Sequence, residues 1–378
     1  MASDITRRIE RLRSRRAGTD RLERLTEAAR NAVLAKSLAE QPWQKRAKNQ
    51  PHTQYALGAM REVDEDYTRI SIDTATRVGR QLLSSLTSTG YSIDFRLQGS
   101  VPLNVHIRGV SDVDLLCLDT GFLTYATAGL RNQRGLYTSP TSKTTVGVLS
   151  ALRKDSEATL KSAFPAAVVD VSGSKAIKIS GGSLARPVDV VPSHWHDTEA
   201  FQASGQEYDR GVTILNKAVP CGIDNLPFLH IKRIAERCDA VSGGLRKAIR
   251  LCKNVKADAE EDGTAVGLPS FDIAATMFHA DMSALRQGSM YELAILAETQ
   301  RHLDFLARSH EQAKLLVVPD GSRRIFDSAS KLTGLNRLST EMDELIRQVA
   351  KEQKPLLSYS EPMLSETRSA IASVYVPA

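Results

Sequence analysis

Apolar residues recur every three to four positions through the first ninety residues, a spacing that predicts amphipathic helices. Ile5 and Ile9 begin one such face, and a longer helical pattern runs from about Tyr55 to Leu86. Gly90 follows the longer pattern after small polar residues, and a glycine in that position commonly ends a helix. The N-terminal quarter of the chain is therefore predicted to be helical.

A break between two N-terminal helices is predicted at Ala17-Gly18, because glycine favours the C-terminal end of a helix. Thr19 or Asp20 would then cap the second helix, since their side-chain oxygens accept hydrogen bonds from free backbone N–H groups. Leu25 lies in helical register with the later apolar residues of this segment.

After residue 90 the apolar period shortens to about two, which indicates β-strands. A helical pattern from about Thr145 to Ser162 interrupts the strands, and beyond about residue 210 the pattern is helical almost to the end. The predicted strands are Phe95–Gln98, Val113–Leu118, Val168–Val171, Ala176–Ile179 and Pro187–Val191.

This order of elements predicts an α+β fold, in which helices precede a mixed sheet and a helical lobe follows it. We divide the chain into a basic helical N-terminal segment (1–54), a core with a long N-terminal helix (55–209) and a helical lobe (210–378). The length of 378 residues suits two or three folding units.

Composition excludes several classes of protein. Hydrophobic residues make up 42% of the chain and charged residues 25%, as in ordinary globular proteins. No stretch approaches the roughly 18 apolar residues that a membrane span requires, and no apolar segment follows the first arginines as in a secretory signal. The 4 cysteines form no C-x-x-C pair, which argues against a zinc site. We therefore expect a cytoplasmic protein with free thiols.

Positive charge is concentrated at the N-terminus. The first fifty residues hold 13 of the 50 Lys and Arg but only 6 of the 44 Asp and Glu, so the remainder is close to neutral. Such a basic arm could bind a polyanion or a protein partner. The simpler interpretation, which we favour, is a solvated helix face.

Candidate chemistry lies in one stretch, where Gly99-Ser100 follows the first predicted strand and Asp112-Val113-Asp114 begins the next. Glycine lets backbone N–H groups approach an anion, and serine adds a hydroxyl donor. Carboxylates two residues apart on a strand share a face. Two carboxylates about 4 Å apart repel by about 4 kcal/mol at an effective dielectric of 20. A divalent cation would offset this repulsion. The combination predicts a site for a metal ion and a nucleoside triphosphate.

A Gly-Ser pair, a gap of about a dozen residues and then Ser-Asp-x-Asp resembles the signature of the DNA polymerase β-like nucleotidyltransferases. Residues 98–100 (Gln-Gly-Ser) and 111–114 (Ser-Asp-Val-Asp) carry this pattern here. Its form is most similar to the CD-NTases, bacterial relatives of cyclic GMP–AMP synthase and oligoadenylate synthase. The resemblance covers about residues 55–300 and implies a bilobed polymerase β-like core, a helical C-terminal lobe and an active site in the cleft between them.

The family carries a third carboxylate on a later strand, often followed by a proline. Asp189 matches, because Pro192 follows it on a predicted strand. Asp170 is the rival, but the Ser-Gly-Ser sequence after its strand is typical of a hairpin tip. We therefore favour Asp189.

By the same resemblance, the helical lobe contacts the nucleotide. Lys253 lies at the edge of an apolar helical stripe, where the family places a triphosphate-binding lysine; the alternative is an ordinary surface lysine. Ser270-Phe271 resembles a family element whose serine contacts phosphate and whose aromatic ring stacks on a base, although Phe271 suits a core position nearly as well. Val105 stands where many relatives have threonine, which weakens any placement within a subfamily.

The resemblance implies metal-dependent nucleotidyl transfer. Two Mg²⁺ or Mn²⁺ ions held by Asp112, Asp114 and Asp189 would activate the attacking ribose hydroxyl and the α-phosphorus. Gly99 and Ser100 would position the triphosphate of ATP, GTP or another ribonucleotide. The product would be a cyclic di- or trinucleotide second messenger of CBASS anti-phage defence, sensed by a downstream effector.

Two other functions stay open at this point. The chain could make linear oligonucleotides or transfer a nucleotide to protein, RNA or a small molecule. It could also be a catalytically silent relative that binds nucleic acid through its basic arm, although the three intact carboxylates argue against that.

Overall fold

The computed structural model describes residues 4–359 and 361–377. Its helices are α1 (Ile5–Ala17), α2 (Glu27–Ser37), α3 (Pro51–Met60), α4 (Glu65–Ser88), α5 (Leu130–Gln133), α6 (Thr145–Ala163), α7 (Glu199–Ser204), α8 (Pro227–Ala240), α9 (Gly244–Glu261), α10 (Ser270–Phe278), α11 (Met282–Gln287), α12 (Leu293–Arg308), α13 (His310–Leu315), α14 (Ala329–Gln353) and α15 (Leu364–Ile371). Its strands are β1 (Ile93–Gln98), β2 (Val113–Tyr125), β3 (Ala167–Asp170), β4 (Ile177–Gly181), β5 (Val188–Asp197), β6 (Gly211–Asn216) and β7 (Cys221–Asn225). The ends of the predicted segments 1–54 and 210–378, at residues 1–3 and 378, lie outside the described residues.

The strands form one mixed sheet with the order β1-β2-β5-β4-β3, and β6 and β7 extend it from the far half of β5. β2 and β5 are parallel, and the neighbours β1 and β4 are antiparallel to them. Parallel pairing places Val113 beside Val188 at the start of both strands. Side chains at the beginning of β2 and β5 therefore share one edge of the sheet.

The central strands are buried on both faces, which explains their nearly continuous apolar sequence. On one face, Leu115 and Cys117 of β2 pack in a core with residues of α4 and α6. On the other face, Leu116 and Leu118 pack with Trp195 of β5 and with β6. The alternation confirms the strand predicted from residue 113.

A second core fills the helical lobe. α9 contacts α3, α12 and α14, and its Ile249 and Cys252 are fully buried. Leu12 of α1 and Tyr55 of α3 belong to the same core. The N-terminal helices α1 and α3 therefore pack with the C-terminal lobe, although the residues that form the sheet lie between them in sequence. Among the described helices, none has the length and apolar character that a bilayer crossing demands.

The single helix predicted from Tyr55 to Leu86 is wrong, because α3 and α4 are separate helices. Asp64 caps α4 by accepting a hydrogen bond from the backbone N–H of Asp66 at 3.0 Å. The guanidinium of Arg16 donates to the carbonyls of Arg61 and Glu62, at 2.7 and 2.6 Å, and so satisfies backbone groups that a continuous helix would have used.

Two further predictions are corrected. The second N-terminal helix is capped by Thr26, not by Thr19 or Asp20, because residues 19–24 form a 3₁₀ helix first. The predicted break at Gly18 is confirmed, since its φ of 77° ends α1. The pattern beyond residue 210 is not purely helical, since β6 and β7 form a hairpin there. Val212 of β6 packs on the sheet core, which draws this segment into strand conformation.

Several arginines of helix α1 are buried inside the fold. Arg15 donates to both carboxylate oxygens of Asp258, at 2.8 and 2.6 Å, and both side chains are buried. The hydroxyl of Tyr55 donates to the same carboxylate at 2.5 Å. Arg8 and Arg16 are buried as well. The interpretation as a solvated face is therefore wrong for these arginines, while polyanion binding by segment 1–54 stays a prediction.

Candidate active site

Two of the three predicted carboxylates are cross-strand neighbours. Asp114 of β2 lies directly opposite Asp189 of β5, and laterally paired residues point to the same face of a sheet. Gln98 of β1 flanks the pair on one side, and Lys178 of β4 flanks it on the other. The sheet thus presents a row of four polar residues, with the two acids in the middle.

The rival Asp170 lies away from this pair. It is exposed on β3, opposite Lys178, with β4 between it and Asp189. Its carboxylate accepts a hydrogen bond from the backbone N–H of Ser172 at 2.8 Å, which closes the turn after the strand. The structure therefore brings Asp189, and not Asp170, next to Asp114.

Gly99 makes a contact with Asp114 that no other residue could make. It has a φ of 80°, in the left-handed region, and a Cβ at this position would lie 2.2 Å from Asp114 Oδ2. The turn at Gly99-Ser100 is therefore pressed against the carboxylate, while its role in binding phosphate stays a prediction. This is where the sequence motif and the geometry agree most closely.

Asp112 lies just before β2, and its carboxylate is held by cations. Arg21 Nη1 donates to Oδ1 at 3.1 Å, Arg24 Nη1 to Oδ1 at 2.8 Å and to Oδ2 at 3.2 Å, and Lys178 Nζ to Oδ2 at 2.6 Å. Within residues 4–359 and 361–377, no three His, Cys, Asp or Glu side chains are arranged to hold one metal ion. The structure therefore brings Asp114 and Asp189 together, while Asp112 is turned to its own ion pairs.

The surroundings of the three carboxyls shift their pKa values in different directions. Burial raises the pKa of Asp114 to about 7, and the charges of Asp189 and Asp112 add to the effect. Burial, with the charge of Asp112, also raises the pKa of Asp189. Burial would raise the pKa of Asp112 too, but the Lys178 hydrogen bond and the charges of Arg21 and Arg24 outweigh it and lower that pKa. The charge of Lys178 lowers the pKa of Asp114 and of Asp189 but does not offset burial there, whereas the cations around Asp112 do offset it.

A cavity of about 320 Å³ is lined by Asp112 but not by Asp114 or Asp189, and four parts of the chain form its walls. This volume is at the lower end of the roughly 300–1,000 Å³ typical of small-molecule sites. The lining residues that were predicted or that carry charge are Arg21, Ser100, Arg108, Asp112, Lys253, Lys256, Glu260 and Ser270. Its four cationic side chains outnumber its two acidic ones, which favours a polyanion such as a triphosphate.

Lys253 is at the cavity, as predicted, but it is not a surface lysine. It is 8% exposed on α9, and its ammonium donates to the carbonyl of Val105 at 2.6 Å. Burial lowers its pKa to about 8, together with the charges of Lys256, Arg250 and Arg108. Val105, the departure from the family threonine, thus contributes its backbone oxygen to this lysine.

Ser270 and Phe271 begin α10, and the structure places them differently. Ser270 lines the cavity. Phe271 is 40% exposed and stacks on His230, with ring centroids 4.2 Å apart, so the core position considered for it is wrong. Arg323 lies over the same ring, 5.3 Å from its centroid.

Sequence analysis missed the three cationic residues that contact Asp112. Lys178 carried a signal, since it is a single lysine between two isoleucines of a predicted strand and precedes the Asp189 strand. Arg21 and Arg24 carried none, because their only marks were the general basic charge of the N-terminus and a spacing that suited a helix.

Comparisons with known proteins decide the family. No family model matches the chain. The cyclic dinucleotide synthase CdnE of Yersinia aleksiciae is 44% identical over 356 residues, a match that covers 91% of this chain and 92% of that relative. The chain belongs to the CD-NTase family. A c-di-GMP synthase of a Lachnospiraceae bacterium (strain RUG226) is 32% identical over 59% of this chain and 68% of the relative.

Solved CD-NTase structures share the fold. The STING-associated CdnE c-di-GMP synthase of Capnocytophaga granulosa has 27% identity and a TM-score of 0.69, covering 95% of this chain and 100% of that one. The corresponding enzyme of a Flavobacteriaceae species has 22% identity and a TM-score of 0.73, covering 92% and 99%. The predicted polymerase β-like α+β fold is confirmed.

Membership confirms the predicted activity as well. As a CD-NTase, the chain is a nucleotidyltransferase that uses NTPs to make a cyclic oligonucleotide second messenger of CBASS signalling. The alternative of a catalytically silent nucleic-acid-binding protein is therefore set aside.

Proposed function

We propose that this chain acts in the cytoplasm and joins two NTPs into a cyclic dinucleotide in a reaction that requires Mg²⁺ or Mn²⁺. The observation that carries the proposal is the register of β2 and β5, which pairs Asp114 with Asp189 beside the Gly99-Ser100 turn. The 44% identical relative is named a cyclic dinucleotide synthase, which favours a ring of two nucleotides over three.

The residues present fit a divalent cation. Asp189 Oδ1 is buried and has no hydrogen-bond partner among the described residues, an arrangement that an ion would complete. Asp114 and Asp189 would hold the cation, joined by Asp112. When bound there, such ions stabilise the entering and leaving oxygens of an in-line displacement at phosphorus.

The chain's own groups have distinct parts in this reaction. Asp189, with its raised pKa, accepts the proton of the attacking ribose hydroxyl. The backbone at Gly99 and the hydroxyl of Ser100 orient the triphosphate. Lys253 contacts the triphosphate by exchanging its hydrogen bond to the Val105 carbonyl for a phosphate oxygen.

We propose GTP as a substrate, because several similar proteins are named c-di-GMP synthases. Phe271 is available to stack on a base through its exposed fraction. A downstream effector would then sense the product.

Product analysis tests the proposal. The full chain is incubated with each α-³²P-labelled NTP, singly and in pairs, with Mg²⁺, Mn²⁺ or EDTA, and the products are treated with phosphatase. We expect a phosphatase-resistant dinucleotide that contains G and forms only with a metal. Phosphatase-sensitive oligomers would indicate linear synthesis, and labelled protein would indicate transfer to a side chain. Product formation in EDTA would contradict the metal requirement.

A further inference from the structure

The carboxylate of Asp112 has its hydrogen-bonding capacity filled. A carboxylate offers about four lone-pair sites. Arg21 and Arg24 occupy Oδ1, and Arg24 and Lys178 occupy Oδ2, which makes four contacts in all. A metal ion therefore gains an oxygen of Asp112 only if at least one of these contacts opens.

The backbone just before Arg21, at residues 15–18, packs closely against the loop that leads to Asp112. The backbone N–H of Gly109 donates to the carbonyl of Arg15 at 2.8 Å. A Cβ on Gly109 would lie 2.6 Å from the carbonyl oxygen of Arg16, and one on Gly18 would lie 2.7 Å from Val110 Cγ2. Withdrawal of this segment would break these contacts, whereas rotation of the Arg21 side chain leaves them intact.

Of the three cations, Arg21 is the one best placed to break its contact with Asp112. Its contact with Asp112, 3.1 Å, is longer than the shortest contacts of Arg24 (2.8 Å) and Lys178 (2.6 Å). It also lines the cavity, whereas Arg24 and Lys178 do not. Its side chain is 24% exposed, less than those of Arg24 (30%) and Lys178 (33%), so the choice rests on contact length and on its place in the cavity. A guanidinium can donate two parallel hydrogen bonds to a phosphate group, as it does to a carboxylate.

We propose that Arg21 is a substrate-binding residue, which releases Asp112 and contacts the triphosphate when the metal and nucleotide enter. Arg24 and Lys178 keep the carboxylate oriented, and the freed site on Oδ1 receives the metal. The inference rests on the proposed role of Asp112 as a metal ligand. Its consequence is that metal and nucleotide bind cooperatively, because each stabilises the same rotation of one side chain.

Two binding measurements on the full chain test the exchange. The first is the affinity for Mn²⁺ alone, from electron paramagnetic resonance of the free ion. The second is the affinity, with Mn²⁺ present, for a GTP analogue whose α,β-methylene bridge cannot be cleaved. For Arg21→Gln we expect Mn²⁺ alone to bind about threefold to tenfold more tightly, since a competitor for Asp112 is gone. We expect the analogue to bind about tenfold more weakly, or about 1.4 kcal/mol.

Opposite signs exclude a merely structural defect, because such a defect would weaken both affinities. Arg30→Gln in α2 is the matched control, since it removes the same charge from an exposed residue, and neither affinity should change. If Arg21→Gln changed the affinities for Mn²⁺ and for the analogue in the same direction, or changed neither, the inference would be overturned. If that variant lost its native circular dichroism, Arg21→Lys would replace it. A lysine can still pair with Asp112, so Mn²⁺ affinity should hold while analogue affinity falls about threefold; an unchanged analogue affinity would overturn the inference.

Asp112→Asn separates this inference from the proposed function. Weaker Mn²⁺ binding in that variant supports the metal role of Asp112, and the Arg21 results then decide the exchange alone. Unchanged Mn²⁺ binding in Asp112→Asn would overturn the metal role and the exchange with it.

Discussion

Asp114 and Asp112 lie two residues apart, yet the protein surrounds them with opposite charge. Asp114 faces another carboxyl, Asp189, and has its pKa raised to about 7. Asp112 faces three cations and has its pKa lowered. One half of the site is thus short of positive charge, which by our proposal a divalent cation supplies. The other half carries its own positive charge, part of which by our proposal moves to the substrate.

The largest expected effect is on the cation-poor half. Asp114→Asn and Asp189→Asn should each lower kcat about 10⁴-fold, or roughly 5.5 kcal/mol in barrier, because the variant side chain no longer supplies the anionic oxygen the reaction needs. Quantified product from labelled GTP measures this. The matched control is Asp170→Asn, which should stay within twofold of wild type. Loss of activity in Asp170→Asn with activity kept in Asp189→Asn would reverse the choice of third carboxylate.

The second prediction concerns the buried arginines of α1, whose charge is structural. Arg15→Met should lower the free energy of unfolding by about 3–5 kcal/mol, because it leaves Asp258 buried without its cation. Urea denaturation followed by circular dichroism measures the loss. Arg13→Met removes the same charge from an exposed position and should change stability by no more than about 0.5 kcal/mol. Similar losses in both variants would mean that net charge, not burial, sets the effect.

A third prediction uses pH on the metal-free protein. The native Asp114 carboxyl keeps its proton up to about pH 7, while in the unfolded chain it ionises near its ordinary value of 3.8. Between these values the native state binds more protons, so the free energy of unfolding falls as pH rises. Asp114→Asn cannot ionise and should be more stable than wild type by roughly 1–3 kcal/mol at pH 8 in EDTA. The difference should vanish near pH 4; a difference independent of pH would contradict the charge argument.

The smallest expected effect lies where the two halves meet. Lys178 pairs with Asp112 and lowers the pKa of Asp189 through its charge. Lys178→Gln should therefore raise the acid-limb midpoint of the kcat/KM profile by roughly half to one pH unit, since the general base ionises only at higher pH. Steady-state rates from pH 5 to 9 measure the shift, and Lys217→Gln is a control outside the site. A downward shift would mean that Lys178 does not act on the base by its charge.

The sequence revealed the half of the site that depends on local pattern. Gly99-Ser100 follows one predicted strand and Asp-x-Asp begins the next, and the family resemblance points to Asp189 through the proline that follows it. Which residues face Asp112 depends on contacts between positions 66 to 91 residues apart, and no spacing rule reaches so far. Resemblance to the family covered residues 55–300 and was silent about Arg21 and Arg24.

Fold errors had similar causes. The helical pattern from Tyr55 to Leu86 is continuous in apolar spacing, but the carbonyls at its middle are taken by Arg16, a residue of another helix. The β6–β7 hairpin was missed because its strands are short and lie within a helical pattern. In each case a distant partner determined the local conformation.

Arg15 has a mechanical consequence for the cleft. Its guanidinium is bound within the helical lobe by Asp258, and its backbone carbonyl accepts a hydrogen bond from Gly109 in the loop that leads to Asp112. One residue thus joins both walls of the nucleotide cleft. The walls cannot separate at this point without breaking a buried ion pair or a backbone hydrogen bond. Arg250 and Lys253 add further bonds from α9 to the carbonyls of Asn104 and Val105, so these contacts together oppose widening of the cleft.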